Sequence, residues 1–102
     1  MKSKAETFVG FVMRTGSFRI GTNAVQTLKK AYLMLVCPSA SENTKKQAEK
    51  IARKFGCPLL EVKDKTLEDM THRENAKVMA IADKALSEAI LSNSEKDFIA
   101  RI

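Results

Sequence analysis

The 102-residue sequence contains no Trp, a single Tyr, a single His and two Cys. With only His72, and no CxxC or HxxxH spacing, a structural zinc site lacks ligands, and no metal is expected. Cys37 and Cys57 lie far apart, each inside an apolar run, where a thiol acts as a small buried hydrophobe. Also absent are GxGxxG, GxxxxGK[ST] and GxSxG, and no carboxylate pair stands in a recognisable setting. The chain is therefore expected to be non-catalytic and to need no cofactor. Cys37 or Cys57 would form a nucleophile pair with His72 only if folding happened to bring them together. No apolar run approaches the roughly 18 to 20 residues needed to cross a bilayer, and the opening MKSKAETF has no apolar signal core. These absences predict no membrane partner and a cytoplasmic location. There is no internal repeat and no low-complexity linker.

The length suits one domain, residues 1–102, and a hydrophobic fraction of 44% suffices for one core. Carboxylates are scarce in the first half. Residues 1–56 carry 11 Lys and Arg against Glu6, Glu42 and Glu49, a net +8, whereas residues 57–102 carry 7 against 9. A field of that sign draws polyanions and speeds their encounter, so RNA, DNA or an acidic protein are admissible partners. A solvated, solubilising surface is the alternative account of the same charge.

Three of the four glycines fall in Gly10–Val25, GFVMRTGSFRIGTNAV, the most informative stretch. Ala5, Phe8, Val9, Val12 and Met13 mark one face of a first helix, with Lys2, Lys4, Glu6 and Arg14 mostly elsewhere. Gly10, in its interior, is expected to admit another backbone, and Gly16 to cap the helix in the left-handed region. Phe18-Arg19-Ile20 reads as a short strand. Gly21-Thr22-Asn23 then supplies a turn and the N-cap of a second helix of about three turns, with Val25, Leu28 and Ala31 or Tyr32 inward and Lys29 and Lys30 outward near its C-terminal end.

The unbroken apolar run Tyr32 to Cys37 predicts a central strand covered on both faces. Ser39 and Glu42 have capping-box spacing for a third helix, with Thr44, Ala48, Ile51, Ala52 and Phe55 inward and Gly56 as its stop. Lys45, Lys46, Lys50, Arg53 and Lys54 are placed on its outer, solvated face, partly paired with Glu42 and Glu49. Further on come a strand over Pro58 to Val62, a short helical segment around Thr66 to Met70 and a polar loop from His72 to Asn75. A buried strand follows over Lys77 to Ala82, then a helix capped by Asp83 with Leu86, Ala89 and Ile90 inward. Residues 93–102 are read as a C-terminal extension whose EKDFIARI forms a helical turn or two, docking Phe98, Ile99 and Ile102. The alternation predicts an α/β fold, a three-layer α/β/α sandwich with a small four-stranded mixed sheet.

Two segments also carry a resemblance. Gly10-Phe11, Arg14-Thr15-Gly16-Ser17-Phe18 and Gly21 follow a GLxxRAGKLxxG pattern, and Ala40-Ser41-Glu42-Asn43-Thr44-Lys45-Lys46 follows ASxNTKKK. Over roughly residues 8–91 the chain resembles the L-seven-Ae family of ribosomal, kink-turn RNA-binding proteins, and more closely its small ribosome-associated bacterial members. The resemblance implies an α/β/α sandwich that binds structured RNA, ribosomal RNA among the candidates, through the N-terminus of the second helix and the loop before the last strand. Carried onto this sequence, it puts Gly21, Thr22 and Asn23 at the RNA. A helix N-terminus favours phosphate, and an Asn amide can both donate to and accept from a base edge. A plain helix cap at Thr22 or Asn23 needs no ligand.

The family's acidic residue and lysine beyond that Asn are here Ala24 and Thr27, and the lysine after Gly16 is Ser17. The apolar loop after a Leu-Gly pair is Leu67-Glu68 followed by MTHRENA. Arg14, Arg19, Lys29, Lys30 and Arg73 are then the candidate phosphate contacts, since these need no kink-turn motif. A protein-interaction module on the same fold that has lost kink-turn binding is the alternative. A monomer is expected.

Overall fold

Ser3 accepts a hydrogen bond from the Glu6 N–H and so opens α1 (Lys4–Thr15), which buries Ala5, Val9 and Val12. Gly16 closes it at φ 73°, donating its N–H to the Val12 carbonyl, a conformation that costs an L side chain energy. The computed structural model describes residues 3–94 and 97–102. Lys2, and Glu95 and Lys96 of the expected helical tail, lie outside the described residues.

After α1 come β1 (Phe18–Ile20), α2 (Thr22–Val25), β2 (Leu33–Val36), α3 (Glu42–Phe55), β3 (Leu59–Val62), α4 (Leu67–Thr71), β4 (Val78–Ile81), α5 (Lys84–Ser92) and β5 (Phe98–Ala100). The strands form one mixed sheet in the order β1-β4-β2-β3-β5, with β2 and β3 parallel and the other pairs antiparallel. Alternation along β2 sends Leu33, Leu35 and Cys37 to one face with α1, α4 and α5, and Met34 and Val36 to the other with α3. Both faces are covered, which is why this strand reads as one apolar run. The α/β class and its layering are as expected.

The sheet has five strands rather than four, because the tail is a strand. β5 pairs with β3 in the register Leu60↔Ala100, Glu61↔Ile99 and Val62↔Phe98. Phe98 enters the core while Ile99 is 52% exposed, so only one of the three expected apolar anchors docks fully. Residues Phe98 and Ile99 favour a pleated surface, and the open edge of β3 supplies a ladder that an isolated helical turn would lack.

The second helix is one turn, not three. After Val25 the chain tightens into i→i+3 bonds, Thr27 N–H to Ala24 O at 3.0 Å and Leu28 N–H to Val25 O at 3.3 Å. The Thr27 hydroxyl also donates to the Ala24 carbonyl at 2.6 Å. Thr22, Asn23, Val25 and Thr27 are weak helix formers, and Thr27 competes with the backbone for that carbonyl. Lys29 and Lys30 consequently lie in a loop, with Lys30 5.1 Å from the centre of the Tyr32 ring.

Three smaller expectations are corrected. α3 is capped by Ser41, accepting from the Thr44 N–H, not by Ser39. Lys45 is buried rather than outward, reaching Glu61 on β3 at 3.7 Å. Nothing lies within 4 Å of a Cβ built on Gly10, so no backbone approaches it.

Candidate nucleic-acid interface

A groove runs between α2 and α3 on the sheet face away from α1. Its first hollow, about 320 Å³, is lined by Thr22, Asn23 and Gln26 from the α2 turn and by Gln47, Lys50, Ile51 and Lys54 from α3. A second, about 230 Å³, shares Gln26, Ile51 and Lys54 with the first and adds Leu28, Lys29 and Phe55. On α3 the lining residues recur at i, i+3, i+4, i+7 and i+8, so helical geometry alone lays them along one stripe. Ile51 is the buried floor, and Phe55 is half-buried against the same core cluster. Lys29, Lys50 and Lys54 are exposed, and none forms an ion pair with the described residues. An open groove lined by lysines, side-chain amides and an apolar floor offers attraction to anions and hydrogen bonding to polar edges.

The expected site residues divide between places. Thr22, Asn23 and Lys29 line the groove. Gly21 stands at φ 101° as the cap residue of α2, and its N–H is bonded to the Val78 carbonyl at 2.8 Å, so it fixes the α2 turn against β4. Arg19 points away from the core side of Phe18 and Ile20, with Nη1 donating to the Phe18 carbonyl at 2.8 Å. Lys30 is in the same loop as Lys29 but stacked on Tyr32. Arg14 lies on α1 over the exposed Phe11 ring at 5.7 Å, and Arg73 lies over Phe18 at 5.6 Å, both toward the α1 side. The eight residues do not form one surface.

Gln26, Gln47, Lys50, Lys54 and Phe55 belong to the groove and were outside the sequence-based site. The spacing of Gln47, Lys50, Lys54 and Phe55 along α3 is visible in the sequence. What is not visible there is that a one-turn α2 stops short and leaves that stripe uncovered.

No protein-family model and no curated protein matches this chain. Its fold matches a solved structure, that of a protein of unknown function from Bacillus halodurans C. The TM-score is 0.78 over 93% of this chain and 100% of that chain, at 18% identity. That likeness is one of fold.

A second polar cluster sits between β2, α4 and β4. Lys77 Nζ donates to Ser39 Oγ at 2.8 Å and to Glu68 Oε1 at 2.9 Å, and Cys37 Sγ lies 3.1 Å from Ser39 Oγ. The Glu68 bond holds Lys77 protonated above its ordinary range, while Lys77 and the Asn75 N–H hold Glu68 below the usual carboxylate range. A protonated amine has no lone pair with which to activate Ser39, so the trio clamps loop to strand. Cys37 is buried against Ser39 and the Leu67 N–H, and burial pushes the Cys57 thiol up to about 11, making it a poor nucleophile. His72 caps α4 in the left-handed region, exposed. Among the described residues no group of three or more His, Cys, Asp or Glu is placed to hold a metal, and no helix is long and apolar enough to cross a membrane.

Proposed function

We propose that this chain is a non-catalytic RNA-binding protein of the L-seven-Ae kind, ribosome-associated, that meets structured RNA along the α2–α3 groove. The observation that carries the reading is the set of Lys29, Lys50 and Lys54 along the two adjoining hollows without a carboxylate partner among the described residues. Lysines held near one another without counter-charge repel, and a polyanion relieves that repulsion while releasing its own counterions. Thr22 and Asn23, the positions that the resemblance puts at RNA, lie on the rim. Arg19 and Lys30 extend the positive field on the same side of the sheet.

Lys50→Glu with Lys54→Glu tests it by titration of fluorescent structured RNA. The double variant should bind at least about tenfold more weakly, and its log Kd against log salt should be shallower by about one to two units of slope. Unchanged affinity at low salt defeats the proposal. The competing reading, a protein-interaction module, draws on Ile99 and Ile102, which are 52% and 37% exposed at the β5 edge. Partners that stay on the tagged protein after ribonuclease treatment would favour it.

A further inference from the structure

We propose that the α2–α3 groove holds two consecutive unpaired nucleotides, the first read by side-chain amides and the second stacked on Phe55. This rests on the RNA-binding reading and specifies which part of an RNA enters the groove.

Size restricts the occupant first. Small-ligand pockets run from about 300 to 1,000 Å³, and the hollows of about 320 and 230 Å³ sit at or below the lower end. Each therefore suits one base-sized ring rather than a base pair or a helix. The two are contiguous through Gln26, Ile51 and Lys54, as consecutive units of a single strand would require.

The lining then separates the two positions. Asn23, Gln26 and Gln47 surround the first hollow. Gln26 already donates its Nε2 to the Thr22 carbonyl at 2.8 Å, which fixes the side chain and leaves Oε1 as an acceptor. Amides that line one hollow together complement the mixed donor and acceptor edge of a base, an edge that base pairing would occupy. The second hollow instead presents the half-buried Phe55. An aromatic face beside a cation is how proteins hold a base without regard to sequence, and Lys54 lies between the two positions to take the linking phosphate.

The test compares two RNAs and five proteins. One RNA is a hairpin whose unpaired adenine-uridine loop contains 2-aminopurine; the other is the same sequence closed into a continuous duplex. The wild type should bind the hairpin about tenfold or more tightly than the duplex, with a change in 2-aminopurine fluorescence. Phe55→Leu keeps the apolar volume and should lose about tenfold in hairpin affinity together with the fluorescence change, whereas Phe55→Tyr should retain both. Gln47→Ala should weaken the hairpin and leave the duplex unchanged. Thermal melts of each variant separate loss of fold from loss of binding, and the tyrosine variant keeps the test decisive if the leucine variant is unstable. Equal affinity for hairpin and duplex, both reduced by the double lysine variant, overturns the two-nucleotide seat and leaves the RNA-binding proposal standing. Failure of both RNAs to bind at low salt overturns both.

Discussion

Gly10 shows how one residue can mislead from sequence alone. A glycine inside an amphipathic helix suggests a close neighbour, yet the space beside it is open and its backbone is ordinary helix. Gly10→Ala should therefore stabilise the protein by about 0.5–1 kcal/mol, chiefly by restricting the unfolded chain. A higher urea midpoint with unchanged slope is the expected result; a lower midpoint would mean that something packs there. Gly16 at φ 73° and Gly56 at φ 71° are different, since each ends a helix in the left-handed region, and both were legible from their position after an apolar stripe. Lys45 was not legible. Its acidic neighbour in space, Glu61, is 16 residues away and belongs to a strand whose register only the fold determines.

At the scale of elements, the helices and strands with strong periodicity or unbroken apolar runs stood where expected, and the two failures were short segments decided by context. α2 stops because Thr22, Asn23 and Thr27 are weak helix formers and the Thr27 hydroxyl bonds the Ala24 carbonyl, and the tail becomes β5 because β3 offers an edge. β5 is held by more than its ladder. Arg101 reaches Glu61 at 2.7 Å and Glu49 of α3 at 2.9 Å, and its backbone N–H donates to Leu59 O at 2.8 Å. These bonds, Glu49 foremost, hold the guanidinium protonated above its already high range. Arg101→Met should cost about 1 kcal/mol, the modest value of a part-exposed pair, because Arg101 keeps 27% of its side-chain surface in water. Hydrogen exchange should localise the loss: the Leu59 amide, bonded to the Ile102 carbonyl, should exchange faster while α1 amides stay protected. Uniform acceleration would show that β5 and the core open together.

Across the whole molecule the carboxylates of the described ion pairs hold cations other than the groove lysines Lys29, Lys50 and Lys54. Lys65 lies between Glu6 of α1 at 2.7 Å and Asp97 of the tail at 3.1 Å, and Asp97 also accepts from the Ser3 hydroxyl. Lys77 takes Glu68, and Lys45 and Arg101 share Glu61. The sequence revealed the imbalance of charge but not that these pairings leave Lys50 and Lys54 of α3 without a carboxylate partner among the described residues, because pairing is a property of the folded chain.

The same layout sets the response to acid. Burial favours the neutral form of Asp97, but the Ser3 hydroxyl and Lys65 outweigh it and hold the carboxyl below its usual range. A depressed folded value means that this stabilisation is complete above the unfolded aspartate value of about 3.9 and fades as pH falls through the lower folded one. Glu68 and Asp69 are depressed too, Glu68 chiefly by Lys77 and Asp69 chiefly by the Thr66 N–H, so they add to the same limb. Lys65 acts at the other end. Raised chiefly by Glu6, it contributes fully below the ordinary lysine value of about 10.4 and loses that contribution as pH rises through its higher folded value. Stability should thus be flat from about pH 5 to 9 and fall below about pH 4. Asp97→Asn should lower the plateau and make the acid limb shallower, read from denaturant midpoints across pH. An unchanged acid limb in that variant would place the acid sensitivity elsewhere, with Glu68 and Asp69 at the α4 clamp as the next groups to replace.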